Sequence, residues 1–227
     1  GILKEKKVAH AKSQFVASVT HELRAPVGSM RLMADSLQSG KLSEEKSAEF
    51  HRLMARESSR LSVLIENVMD LARVEDGQRD LRKEAVDLEE IISETCEMLA
   101  MQAEEKGISF KRKGEPLEIE ADPVALRQIL VNLIDNALKF SPADGTITLS
   151  WGKGWWFSVT DEGPGIDEKD RKQIFERFYR GEDELTRQTK GVGIGLSLVK
   201  ELVELHGGKV SVSEGSGATF KVEFSKS

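Results

Sequence analysis

The sequence predicts two unlike domains: an all-α helical hairpin that pairs into a dimeric four-helix bundle, then an α+β sandwich whose mainly antiparallel sheet is covered by helices. Three observations carry this. Over roughly the first 75 residues apolar side chains recur at helical spacing with a single proline. The polar run Glu75-Asp76-Gly77-Gln78-Arg79-Asp80 then marks a change of composition. Beyond it, helical stripes alternate with runs of period two, one pair of which flanks Gly152-Lys153-Gly154.

In chain order, Phe15, Val19, Leu23, Met30, Met33 and Leu37 form one helical stripe, and Phe50, Leu53, Met54, Leu61, Leu64, Ile65, Val68 and Leu71 form a second. Ser39-Gly40-Lys41-Leu42-Ser43 separates them, with Gly40 ending the first helix and Ser43 capping the next. An isolated hairpin leaves much of both stripes in water. Pairing with a second copy removes that cost, and a bundle completed by a segment outside this chain is the alternative. Residues 1–76 are assigned to this domain, 77–80 to a linker and 81–227 to the second domain.

In the second domain a helix is expected from Val86 to about Glu105. Another starts at Asp122-Pro123, a capping residue followed by a proline at the first helical position, and it carries Leu126, Ile129, Leu130, Leu133 and Ile134 inward. Thr146–Trp151 and Trp155–Thr160 read as a β-hairpin, and Gly208–Ser213 with Ala218–Phe224 as a second strand pair.

A formal charge of -6 gives no reason to expect nucleic acid. The single cysteine, Cys96, cannot form an intramolecular disulfide and reads as a small core side chain. No run approaches the ~18–20 apolar residues of a membrane helix, and no signal-peptide pattern is present. The chain opens without methionine in residues already helical in character, and is read as a fragment of something longer from a reducing compartment, whose missing part could be a sensor or a membrane anchor, with no membrane contact within this fragment.

Four groups of residues carry chemistry. Ser18-Val19-Thr20-His21-Glu22-Leu23-Arg24-Ala25-Pro26 places a histidine and a carboxylate side by side on a helix. Pro26 lacks the N–H that would bond the Glu22 carbonyl, and so loosens or kinks the helix beside them. Asn132 and Asn136 stand four apart with Lys139 one turn on, and a carboxamide oxygen is a neutral ligand for a hard cation such as Mg²⁺. Asp161-Glu162-Gly163-Pro164-Gly165-Ile166 follows a strand directly, offering a carboxylate and then glycines that admit close backbone approach. Gly191-Val192-Gly193-Ile194-Gly195-Leu196 opens a helix, where free N–H groups and the positive dipole end suit a phosphate. Its spacing fits neither a dinucleotide fingerprint nor a P-loop.

With these residues together, the chain resembles the catalytic core of a sensor histidine kinase of two-component signalling: a dimerisation and histidine-phosphotransfer domain, then an ATP-binding domain of the fold shared with gyrase-type, Hsp90-type and MutL-type ATPases. Five spaced motifs carry the match over nearly the whole chain. The resemblance implies His21 as phospho-acceptor, with Glu22 taking or orienting the imidazole proton. It implies that Asn132 and Asn136 order Mg²⁺-ATP, Asn136 being the direct metal ligand, that Lys139 contacts phosphate, that Phe140 lines the adenine pocket and that Asp161 reads the adenine amino group. Gly163, Gly165, Ile166, Gly191, Gly193, Gly195 and Leu196 would complete the ATP site. Ile174-Phe175-Glu176-Arg177-Phe178-Tyr179-Arg180 resembles the family's phenylalanine box, with Arg177 and Arg180 facing the terminal phosphates and residues 167–190 as the lid over ATP. Thr219, within Gly215-Ser216-Gly217-Ala218-Thr219, matches the last glycine motif weakly.

The implied activity is autophosphorylation of His21 from Mg²⁺-ATP, then transfer to an aspartate of a response-regulator receiver domain, by a homodimer joined through the hairpin. Gyrase-type relatives carry a glutamate at the Asn132 position, and an amide cannot activate water, which favours transfer over free ATP hydrolysis. Many bifunctional members carry Thr or Asn where this chain has Ala25, so phosphatase activity towards the partner is expected to be weak. A dimeric nucleotide-binding module without transfer activity is the alternative, and a plain ATPase of the same superfamily a third reading.

Overall fold

The computed structural model describes residues 2–75, 80–177, 179, 193–215 and 217–225. Residues 76–79, Gly191 and half of the proposed lid, residue 178 and residues 180–190 with Arg180 among them, lie outside the described residues. Helix α1 (Ile2–Gln38) and helix α2 (Glu44–Glu75) form the antiparallel hairpin. Gly40 takes φ 66° at the turn, a conformation that costs a glycine nothing, and the Ser43 hydroxyl accepts from the Lys46 N–H at 3.3 Å to start α2. α1 continues through Pro26, which is buried. Val16, Val27, Leu32, Ile65 and Met69 stay exposed on the hairpin.

The second domain contains β1 (Glu84–Asp87), α3 (Leu88–Glu104), β2 (Ser109–Lys113), β3 (Glu118–Ala121), α4 (Pro123–Phe140), β4 (Thr146–Gly152), β5 (Trp156–Thr160), a 3₁₀ turn (Gln173–Phe175), α5 (Gly195–Leu205), β6 (Lys209–Glu214) and β7 (Ala218–Glu223). The main sheet runs β2-β4-β5-β7-β6, antiparallel except for the parallel β2–β4 pair, while β1 and β3 form a separate antiparallel pair. β4 alternates strictly, burying Ile147, Leu149 and Trp151, and with Phe157, Val159, Phe220 and Val222 these meet Leu126, Ile129, Leu130 and Leu133 of α4 and Leu198, Val199, Leu202 and Val203 of α5. Each such side chain contributes about 1.5–3 kcal/mol on burial.

Where the expectations fail, the reasons are local. The helix expected from Val86 begins at Leu88. Asp87 is extended (φ -71°, ψ 114°) and its carboxylate caps the N–H groups of Glu89 and Glu90, while Val86 pairs with Ile119 as strand. β2 and β3 are not apparent from sequence because they are short and charged; β2 is the sheet edge, and its Lys111, Arg112 and Lys113 are exposed, which discourages edge-to-edge pairing. His206 is 5% exposed. Its Nε2 accepts the Asp122 N–H at 3.1 Å, so Nδ1 carries the proton and donates to the Leu202 carbonyl at 2.7 Å, joining the end of α5 to the start of α4. Cys96 is buried on α3 and desolvation pushes its thiol up to about 11, which keeps it unreactive.

Candidate functional site

His21 is solvent-exposed on α1, and Glu22 beside it is half-buried with its carboxylate 3.6 Å from the Arg60 guanidinium of α2. An exposed neutral imidazole has a nitrogen lone pair able to attack an electrophile, and its neighbouring carboxylate can take the displaced proton.

In the second domain, α4 presents Asn132 and Asn136 one turn apart because Asp122 caps its start, accepting from Val124 and Ala125 at 3.0 Å, and so sets the helix phase. Asn136 is half-buried, and Asn132 is 8% exposed, its Nδ2 donating to the Gln128 carbonyl at 2.9 Å. Lys139 does not stand alone, as its expected phosphate role implied: its ammonium pairs with Asp135 at 2.5 Å, one turn back. Phe140 closes α4 and is half-buried.

Asp161 leaves the end of β5 and is 2% exposed. Its Oδ1 accepts from Gly163 N–H at 2.8 Å and Ala218 N–H at 3.1 Å, which leaves Oδ2 without a hydrogen bond among the described residues. Burial raises its pKa above the ordinary carboxylate range, with the two backbone donors opposing the shift. Around it the chain is too tight for side chains. A Cβ at Gly163 would lie 2.8 Å from the Phe140 carbonyl, and one at Gly217 would lie 2.0 Å from the Asp161 carbonyl oxygen. Gly165 takes φ 78° and its Cβ direction faces Gly217. Thr219 meets Thr160 through their hydroxyls at 3.0 Å, and Ile166 packs on the core. Phe140, Asp161, Gly163, Gly165 and the segment 217–219 therefore converge at one end of the sheet.

Gly193, at φ 71°, leads into α5, whose capping residue Ile194 makes no side-chain bond to the first N–H groups. Gly195 opens that helix against Asn132, and Leu196 is half-buried. Arg177 is engaged by Glu201 of α5, its Nε donating to Oε1 at 2.7 Å and its Nη2 to the same oxygen.

Sequence reasoning undervalued Gly217 and overlooked Glu162, whose carboxylate accepts the Thr146 N–H at 2.9 Å, and Asn67, whose carboxamide reaches Asn132 from α2. Gly217 was visible in the Gly215-Ser216-Gly217 run, whereas Asn67 has no signal short of the tertiary contact. Gly217→Ala is expected to displace the Asp161 backbone and weaken nucleotide binding about tenfold or more, checked by calorimetric titration with an ATP analogue.

The residues fit Mg²⁺-nucleotide. A buried carboxylate with a spare oxygen, glycines that leave room for a ligand and uncapped N–H groups at α5 suit adenine and phosphate, and the Asn136 oxygen suits a cation that keeps most of its shell as water and phosphate oxygen.

Two family profiles match the chain: "Histidine kinase-, DNA gyrase B-, and HSP90-like ATPase" over residues 121–227 and "His Kinase A (phospho-acceptor) domain" over residues 11–77. An uncharacterised sensor-like histidine kinase of Rhizobium meliloti is 35% identical over 232 residues, covering 95% of this chain and 44% of the relative. The sensor-like histidine kinase SenX3 of Mycobacterium tuberculosis is 32% identical, covering 92% of this chain and 53% of the relative. The chain thus spans about half, or less, of the curated relatives it matches. Among solved structures, full-length ShkA in complex with AMPPNP is 34% identical with a TM-score of 0.65, over 92% of this chain and 44% of that one. The histidine kinase AdeS of Acinetobacter baumannii, at 24% identity and a TM-score of 0.66 over 90% of this chain and 97% of that one, shares the fold. Among the described residues no helix is long and apolar enough to cross a membrane.

Proposed function

The chain belongs to the sensor histidine kinases, and from that premise we propose that it autophosphorylates His21 from Mg²⁺-ATP and passes the phosphoryl group to an aspartate of a response-regulator receiver domain. The observation that carries the reading is the pairing of an exposed His21–Glu22 on one domain with a built nucleotide end, centred on buried Asp161, in the other. The bound cation would neutralise phosphate charge and orient the γ-phosphoryl group, with Asn136 as its protein ligand. Asp161 Oδ2 accepts from the adenine amino group, and the start of α5 donates N–H groups to phosphate. The His21 nitrogen attacks the γ-phosphorus, the bond to the bridging oxygen breaks, ADP leaves, and the imidazole proton passes to Glu22.

Exposed Val16 and Val27, which share one face of α1, and Ile65 and Met69, one turn apart on α2, support closure of the hairpin into a homodimeric bundle, since a second copy would remove such apolar surface from water. Residues 1–76 then act as the phosphotransfer unit and 81–227 as the ATP-binding unit, in the cytoplasm, where ATP is available. ATP consumption tests the reading: a kinase stops near one phosphate per active subunit until a receiver is added, whereas continuous turnover without one marks a plain ATPase. Ala25, exposed one turn after His21, has no group to hold a water. Clearance of aspartyl-phosphate from the cognate receiver, measured with ADP present, is accordingly expected to stay close to the spontaneous rate, and clearance well above it would contradict this role for Ala25.

A further inference from the structure

The hairpin touches the nucleotide end through one face of α2. Leu64, Asn67, Val68 and Leu71 fall at successive positions of a single helical stripe. Leu71 is 3% exposed within the core cluster, and Leu64 and Val68 pack against it. Amid this apolar strip the Asn67 carboxamide faces α4. Its Nδ2 donates to Asn132 Oδ1 at 3.3 Å, and its Oδ1 accepts from Asn132 Nδ2 at 3.4 Å and from Gln128 Nε2 at 3.3 Å. Asn132 and Asn67 therefore form a reciprocal amide pair across the domain boundary. On the far side, a Cβ at Gly195 would lie 2.8 Å from Asn132 Oδ1, so the backbone that opens α5 closes over the same oxygen.

This enclosure leaves Asn132 8% exposed, with its donor and its acceptor both turned to protein. A carboxamide that helps to order Mg²⁺-ATP has to turn one of them to the ligand. We propose that Asn67 is a positioning residue that acts through Asn132: it holds that carboxamide against the bundle helix, so that full engagement of nucleotide requires the hairpin and the ATP-binding domain to part along this face. The proposal rests on the histidine-kinase reading. The three contacts are long, at 3.3–3.4 Å, which makes the latch weak enough to open. By reciprocity, nucleotide that takes Asn132 loosens the docking by the factor with which docking weakens nucleotide. The position along α2 agrees with a resting arrangement. Arg60, which faces Glu22 beside His21, is seven residues from Asn67, about 10 Å of helix, so the latch engages about two turns from the level of the nucleophile.

The test uses the full chain with two variants. Asn67→Leu keeps the side-chain volume and removes the amide. Asn67→Asp keeps an acceptor for Gln128 and Asn132 Nδ2 but opposes Asn132 Oδ1 with a second oxygen. The readouts are the Kd for Mg²⁺ with a non-hydrolysable ATP analogue and the initial rate of acid-labile labelling from γ-labelled ATP. Both variants are expected to bind nucleotide more tightly, about three- to tenfold, and to label faster than the parent. A damaged fold does not produce such a gain. A parent that binds and labels alongside variants with unchanged or weaker binding would overturn this proposal alone, whereas a parent that neither binds nor labels would overturn the histidine-kinase reading on which it rests.

Discussion

His21→Gln is expected to bind Mg²⁺-ATP as the parent does and to take up no phosphoryl group. Glutamine is close to histidine in size and is tolerated at this exposed helical position, but its amide nitrogen has no available lone pair with which to attack phosphorus. Binding is spared because His21 lies on the hairpin, while Asp161, Gly163 and Gly217 lie at the far end of β5 and at β7. The comparison therefore separates nucleophile from binding site: calorimetry measures one and acid-labile label the other. Residual label in His21→Gln would place the acceptor elsewhere.

Asp161→Asn is expected to weaken adenine nucleotide binding on the order of 10- to 100-fold, the range for losing a hydrogen bond to a charged group in a buried site. The amide oxygen can replace Oδ1 in accepting from Gly163 and Ala218, which preserves the turn. The amide nitrogen then stands where Oδ2 stood and sets donor against donor towards the adenine amino group. A second consequence follows from burial, which raises the Asp161 pKa in the folded state. Between the ordinary carboxylate range and that raised value the folded protein holds more proton than the unfolded chain, so stability falls as pH rises through this window and is recovered as pH drops. Asparagine removes that dependence. Urea midpoints across mildly acidic to neutral pH, without nucleotide, are expected to decline with rising pH in the parent more than in Asp161→Asn, with the variant the more stable at neutral pH.

Features governed by local rules were legible in the sequence. The turn at Gly40, the capped start of α4 at Asp122-Pro123 and the β4–β5 hairpin each depend on a few adjacent residues, and the structure contains all three. The pairing of Lys139 with Asp135 is likewise readable from their i,i+4 spacing. β1 and β2 were hidden for a different reason. Four- and five-residue strands in which half or more of the side chains are charged have too little apolar alternation to stand out, and their identity comes from partners distant in sequence, Ile119 for Val86 and Ile147 for Phe110. Likewise Arg177 with Glu201, His206 with Asp122 and Asn67 with Asn132 are tertiary pairings that no spacing rule signals. The site followed the same division. Its motifs were visible, whereas the side chains that restrain them were not.

Transfer of a phosphoryl group from ATP to a histidine nitrogen of this chain is the step on which the other expectations depend. Incubation of the purified protein with γ-labelled ATP and Mg²⁺, followed by acid and alkali treatment of the labelled chain, tests it most directly. The expected result is label approaching one phosphate per active subunit, lost in acid, stable in alkali and returned to ATP on addition of excess ADP; a protein that binds ATP yet acquires no such label is not a histidine kinase.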